Sequence, residues 1–305
     1  MTSPFHKGEL TIQEHVGETE LAARNGRLIK DKIPSGAASF LHRQRYCALG
    51  WKDKNDDIWA GLLSGEPGFA HMSETGRGLN ISIDDQSGAW ASNPSTTDIG
   101  MGSDLGILFM EYETRRRLRI NGNVDFQDVC GMSIAVAEAY PNCAKYIQKR
   151  EYREPVSQEE FTPVCKVGRN MTDEIIHWVS TADTVFVASA LEDGPADVSH
   201  RGGHPGFVIF EDGVLHFPDY AGNSMFGTLG NFLLNPKAGL VFVDYHHSRQ
   251  LQISGDVNLH LDGDRQDART GGTGRWWTFT PRTWIISPLN HASRWQLVET
   301  SPFNH

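Results

Sequence analysis

Residues 106–126, GILFMEYETRRRLRINGNVDF, recur without a gap as residues 239–259, GLVFVDYHHSRQLQISGDVNL. Eight of the 21 aligned positions are identical, where chance would give about one or two. Upstream, PGFAHM from Pro67 is matched by PGFVIF from Pro205, 138 residues further on, against an offset of 133 for the longer block. Two copies of one β unit are the economical reading, and the 305 residues leave about 150 for each, an ordinary domain.

Each repeated block has the pattern of a hairpin: an apolar run rich in β-branched and aromatic residues, a polar turn, then an alternating strand. In the second copy Leu251, Ile253 and Val257 fall on one face if a turn or bulge interrupts near Gly255. Further strands are expected in YCALGWK, DIWAGLLS, LNISI, MSIAVAEAY, TVFVASA, GFVIFED, VLHFPD and RTWIIS. Helical patterning is confined to residues 9–30, 35–45, NCAKYIQKR from Asn142, TDEIIHWVSTA with Thr172 as N-cap, and SMFGTLGNFLLN from Ser224. The segment 151–171 is charged, carries Pro155 and Pro163, and shows no period, so it reads as a linker. The expected organisation is a helical extension (1–35), a first barrel (36–150), the linker, and a second barrel (172–305). The class is mainly β with short helices, α+β.

Composition narrows the function. A net charge of −10 disfavours phosphate backbones and anionic lipid surfaces, so neither nucleic acid nor membrane is expected as a partner. No apolar run approaches a membrane span or a signal sequence, which predicts a cytoplasmic protein. Cys47, Cys130, Cys143 and Cys165 contain no CxxC pair and are expected there as buried thiols rather than bridges. The glycines of Gly222-Asn-Ser-Met-Phe-Gly227 have P-loop spacing, but Thr228-Leu229 stands where Lys and Ser/Thr are required. No GxGxxG follows a strand, no HExxH occurs, and Gly202, Gly203 and Pro205 deny His200 and His204 a shared helical face, so no metal is expected.

The segment from Gly222 to Asn231 follows a strand and opens a helix, a setting whose backbone N–H groups favour an anion. Asn223, Ser224, Thr228 and Asn231 add neutral hydrogen-bonding groups, although a glycine-rich connection with local capping explains the segment equally well. DVSHRGGHPGFV from Asp197 tilts the balance, since Arg201 brings fixed positive charge and Gly202-Gly203 allow close backbone approach.

Taken in order, DVSHRGGHPGFV, VLHFPDYAGNSMFGTLGNFLLNPKAGLVFVD and RQLQISGDV resemble the flavin-binding split barrel of the pyridoxamine 5'-phosphate oxidase-related family, in its long two-copy branch. DIWAGLLSGEPGF and NCAKYIQKR extend the resemblance over most of residues 40–260. It implies tandem split β-barrels of the FMN-binding type with a noncovalent FMN in the groove between them. Carried over by position, Ser199, His200, Arg201 and Gly203 fall on the first flavin-contacting strand. Asp219, Tyr220, Gly222, Asn223, Thr228 and Asn231 fall on the phosphate loop and following helix, and Arg249 and Gln250 on the pair that reaches the isoalloxazine. The loop here reads Gly-Asn-Ser-Met where the single-barrel oxidases carry Ser-Arg-Lys. Phosphate charge is then expected from Arg201 or from the other barrel, with Lys145 and Arg150 as candidates, although a solvated basic helix end is the commoner origin of such a pair. Arg115, Arg117 and Arg119 alternate along the first copy's hairpin, which is more often a solvated strand face, and Arg116 is the counterpart of Arg249. The first copy has no equivalent of GNSMFGTLGN and would supply the opposite wall.

The resemblance implies an FMN-dependent oxidoreductase acting on a small organic substrate, with NAD(P)H or O2 as redox partner and a homodimer as assembly. His200, His204, His216 and His246 are candidates for proton transfer, each more commonly structural. The alternatives are a flavin- or haem-binding module without turnover and an NAD(P)H-dependent nitro or quinone reductase. The ending WQLVETSPFNH lacks the Arg-Leu-x-Pro of the authentic oxidases, which argues against pyridoxamine phosphate as substrate.

Overall fold

The computed structural model describes residues 3–85, 88–154, 165–290 and 294–305. The chain opens with helices α1 (Lys7–Val16), α2 (Thr19–Gly26) and α3 (Ala38–His42). Seven strands follow: β1 (Tyr46–Lys52), β2 (Ile58–Ser64), β3 (Ala70–Met72), β4 (Gly78–Ser82), β5 (Asp104–Glu111), β6 (Arg116–Asp128) and β7 (Gly131–Asn142), with α4 (Ala89–Ser92) before β5. After β8 (Lys149–Arg153), β9 (Lys166–Gly168) and α5 (Asp173–Thr181) come β10 (Thr184–Ala190), β11 (Ala196–Gly202), β12 (Ile209–Glu211), β13 (Val214–Pro218), α6 (Gly227–Leu234), β14 (Lys237–Asp244), β15 (Arg249–His260), β16 (Trp276–Pro288) and β17 (Arg294–Glu299).

The first sheet runs β2-β1-β5-β6-β7-β4-β3 and the second β11-β10-β14-β15-β16-β13-β12. These are one strand order written twice, antiparallel throughout, and each sheet is a split barrel. The expected bulge falls between Ser254 and Gly255, and the first sheet shifts register at the matching Asn121/Gly122. An extra residue there bends the long hairpin strand so that one strand serves two parts of the barrel wall.

The middle strands read as continuous apolar runs because they are buried on both faces. Along β1, Cys47, Leu49 and Trp51 enter the first barrel's core, whereas Tyr46 and Ala48 join a third cluster between the barrels. Strand β10 divides in the same way, with Val185 and Val187 inside the second barrel and Phe186, Ala188 and Ala190 in the shared cluster. Close approach requires glycine at two matching places. A Cβ on Gly106 would lie 2.6 Å from the Asp197 Cα, and one on Gly239 would lie 2.5 Å from the Trp59 Cα. The barrels thus meet face to face across a local two-fold relation, β5 on β11 and β14 on β2.

The helix expected in NCAKYIQKR does not form. Strand β7 runs to Asn142, Tyr146 takes a left-handed φ of 67°, and residues 149–153 pair with β17 instead. The buried Gln148 side chain donates to the carbonyls of Tyr146 and Gly203, both at 3.2 Å, tying this crossing to the second barrel. Thr172 caps α5 as expected. Residues 155–164, the middle of the expected linker, lie outside the described residues. Among the described residues no helix is long and apolar enough to cross a membrane.

Candidate functional site

A cleft runs between the barrels. One wall is the first barrel's β6 and the turn after β7, contributing Arg117, Arg119, Asn142, Cys143 and Tyr146. The other is the second barrel's β11 with Ser199, His200 and Arg201, the loop through Asp219, Tyr220, Gly222 and Asn223, and the start of α6 at Thr228.

Arg117 is the centre of its electrostatics. Its guanidinium donates to the Cys143 carbonyl at 2.7 Å and contacts the His200 Nδ1 at 3.3 Å, and among the described residues it has no carboxylate partner. Burial, reinforced by Arg119 and Arg201, pushes its pKa down. That direction marks a positive charge lacking compensation, the condition an incoming anion relieves. His200 is buried and held well below the usual imidazole range, first by burial and then by Arg117, Arg150 and Arg201. It is therefore neutral. With Nδ1 accepting from Arg117, its proton resides on Nε2, which is buried and has no partner among the described residues. The Nε of Arg201 is likewise buried and unpartnered, while its Nη1 reaches Asp219 at 3.0 Å.

Backbone geometry completes the anion cradle. Ser224 and Phe226 take left-handed φ values of 62° and 61° on either side of Met225, an alternation that turns successive N–H groups toward one concavity. Helix α6 starts immediately after with no side-chain cap, which leaves its first N–H groups to other partners. Ser199 and Thr228 join hydroxyls at 2.9 Å beside it. Deeper in, Arg119 is neutralised: Asp197 holds it at 2.8 Å and the Tyr140 hydroxyl accepts from it at 3.0 Å. Helix α1 closes this end, its Gln13 donating to the Met225 carbonyl at 3.0 Å. Glu9 of α1, near Asp197 and Glu138, has a pKa raised to about 8, chiefly by burial.

Of the expected residues, the cleft gathers Ser199, His200, Arg201, Asp219, Tyr220, Gly222, Asn223 and Thr228. Asp219 ion-pairs with Arg201 and Arg275, both at 3.0 Å, so it orients the cation rather than opposing an anion alone. Gly203 packs behind the wall against Phe207 and accepts from Gln148. Lys145 stands at the rim, 3.5 Å from the Ala221 carbonyl.

Besides Gly203 and Lys145, four expected contacts are not gathered there. Asn231 turns inward and donates to the Ser189 hydroxyl at 2.9 Å. Arg150 is buried elsewhere, bonded twice to Asp183 at 2.6 Å and lying over the Tyr245 ring. Arg249 pairs with Asp244 at 2.9 Å, and Gln250 accepts from the Leu62 N–H at 2.8 Å. The local two-fold relation explains the last two. Each barrel's long hairpin faces the other barrel's second strand, so β15 meets β2, and β6 is what reaches β11 and the loop before α6. The first copy's Arg117 therefore occupies the place expected of Gln250. Arg117 and Arg119, which a solvated strand face would have left in water, are the residues the sequence reading missed, together with Asn142, Cys143 and Tyr146.

The cleft's counterpart across the local two-fold relation is occupied by side chains. Gln252, at the position of Arg119, donates to the Ala60 carbonyl at 2.8 Å and accepts from Asn93 at 2.5 Å, while Asn93 and Ser95 come from the segment around α4. Neutral amides of Gln252 and Asn93 stand there in place of a guanidinium.

No family model matches the sequence, and no curated protein matches it. Among solved structures, a putative pyridoxamine 5'-phosphate oxidase from Lactobacillus delbrueckii aligns at 17% identity over 37% of this chain and 91% of its own, with a TM-score of 0.30. An FAD-binding protein from Mesorhizobium loti aligns at 10% identity over 40% and 97%, TM-score 0.29. The haem storage protein HutZ from Vibrio cholerae aligns at 12% over 39% and 96%, TM-score 0.28. The strand order written twice makes the chain a duplicated antiparallel barrel. In this split-barrel chain both walls of the cleft come from a single polypeptide.

Proposed function

We propose that the chain is an FMN-dependent oxidoreductase that binds one flavin per polypeptide in the cleft between its barrels. The observation that carries the reading is Arg117, a cation without a carboxylate partner among the described residues, set opposite Arg201 and the uncapped start of α6. A phosphate dianion fits that donor set: two guanidinium groups, the Nε2–H of a neutral His200, the Ser199 and Thr228 hydroxyls, and backbone N–H groups of the 223–228 turn.

The chain's own residues then have distinct tasks. Arg117 and Arg201 bind charge, and Asp219 fixes the orientation of Arg201. His200 donates without carrying charge, because burial among arginines keeps it unprotonated. Arg119 holds Asp197 at the inner end, and α1 covers that end against water. When bound, the flavin supplies hydride or electron transfer, with NAD(P)H or O2 as the exchange partner.

Absorbance spectra of the purified protein, with and without added FMN, test the reading. Bound flavin released by denaturation as FMN supports it. Failure to bind added FMN overturns it, and a Soret band would assign the cleft to haem.

A further inference from the structure

Phe207, Pro218 and Tyr220 line both the flavin cleft and a neighbouring cavity of about 540 Å3. Rings form much of its wall: His204, Phe207, His216, Phe217, Tyr220 and Trp276. Trp276 is half-buried and lies nearly parallel to two imidazoles across adjacent strands, 3.7 Å from His260 and 5.7 Å from His216 between centroids. The cavity offers little net charge to a ligand. Asp267 holds Arg269 through bonds of 2.7 to 3.0 Å, and Glu211 at the exposed rim disfavours an anion. The imidazoles of His204 and His216 remain as hydrogen-bonding groups suited to carbonyl oxygens.

We propose that this cavity binds a flat, uncharged aromatic molecule bearing carbonyl oxygens, of the quinone class. Aromatic walls favour a π-faced guest over an aliphatic one of equal area, the Asp267–Arg269 pair is self-neutralised, and Glu211 at the rim repels an anion. The two shared aromatic residues place the guest beside the cleft, so its assignment as the redox substrate rests on the flavin reading, while its binding does not.

Calorimetric titration with menadione, a flat naphthoquinone, tests this on flavin-free and FMN-loaded protein. Binding of one menadione per chain is expected in both forms. Ala268→Trp, which fills the mouth from an exposed position, and Trp276→Leu should each weaken it about tenfold or more while leaving FMN affinity unchanged. Wild-type menadione affinity in both variants, or no menadione binding in either form, overturns the proposal. Competition between menadione and FMN also overturns it, because the cavity would then seat the flavin ring. Menadione binding by a protein that refuses FMN would uphold the cavity and sink the flavin reading alone.

Discussion

Tyr112 and Tyr245 stand 133 positions apart, the offset of the internal repeat, and their hydroxyls meet at 2.5 Å in the core between the barrels. Each is the other's equivalent, so their contact lies on the local two-fold relation of the two sheets. Their rings pack edge to face at 5.7 Å, and Trp295 and the guanidinium of Arg150 cover the group. The relation decides which residues form the cleft, because it exchanges the two long hairpins.

Removing one hydroxyl of this pair leaves the other with a lost partner in a buried setting. Tyr245→Phe is expected to cost about 1 to 3 kcal/mol, and the double change Tyr112→Phe/Tyr245→Phe less than the sum of the two singles. Urea unfolding of the four proteins measures the coupling. Strict additivity would show that the hydroxyls do not depend on one another.

Arg117→Ala should weaken FMN binding by about 10- to 100-fold, the loss of one charge-assisted contact. Arg249→Ala should leave it unchanged, since that guanidinium is held by Asp244 outside the cleft. The reverse ranking in fluorescence titrations would restore the assignment of Arg249 implied by the family resemblance.

Arg150 separates stability from binding. Arg150→Ala strands Asp183 in a largely buried site and is expected to cost about 3 to 5 kcal/mol, with little change in FMN affinity of the folded fraction. Guanidinium chloride unfolding and flavin titration of the same sample distinguish this from a phosphate-binding role, in which affinity would fall first.

Glu9 gives stability a defined pH dependence. Its folded pKa of about 8 lies above the usual carboxylate value, so between roughly pH 4.5 and 8 the native state holds a proton that the unfolded chain has lost. Its contribution therefore becomes less favourable as pH rises through that window, and ionisation loosens α1 from α6. Melting temperature should fall more steeply between pH 6 and 8.5 in wild type than in Glu9→Gln, about as the linkage relation requires. Identical slopes would place Glu9 outside the buried cluster.

The repeat, the strand inventory and the bulge at Gly255 were legible because hairpin patterning and an offset survive in one dimension. The loop from Gly222 to Thr228 was legible for its glycines and hydroxyls. Arg117 was not: it alternates with Arg115 and Arg119 like any wet strand, and only the docking of β6 against β11 withdraws it from water. Arg150 failed for a related reason, since a basic segment was read as a helix end although β17, more than 140 residues later in sequence, pairs with it. The role of α1 was hidden as well, because nothing local to Glu9 shows that Asp197 and Glu138 will stand beside it.

The stoichiometry of FMN binding tests the central claim most directly. Calorimetric titration of flavin-free protein should give one FMN per chain, since the second cleft carries Gln252 and Asn93 in place of cations, and Arg117→Ala should remove most of that affinity. Two FMN per chain, or one bound with undiminished affinity by Arg117→Ala, would contradict the single cleft described between the barrels.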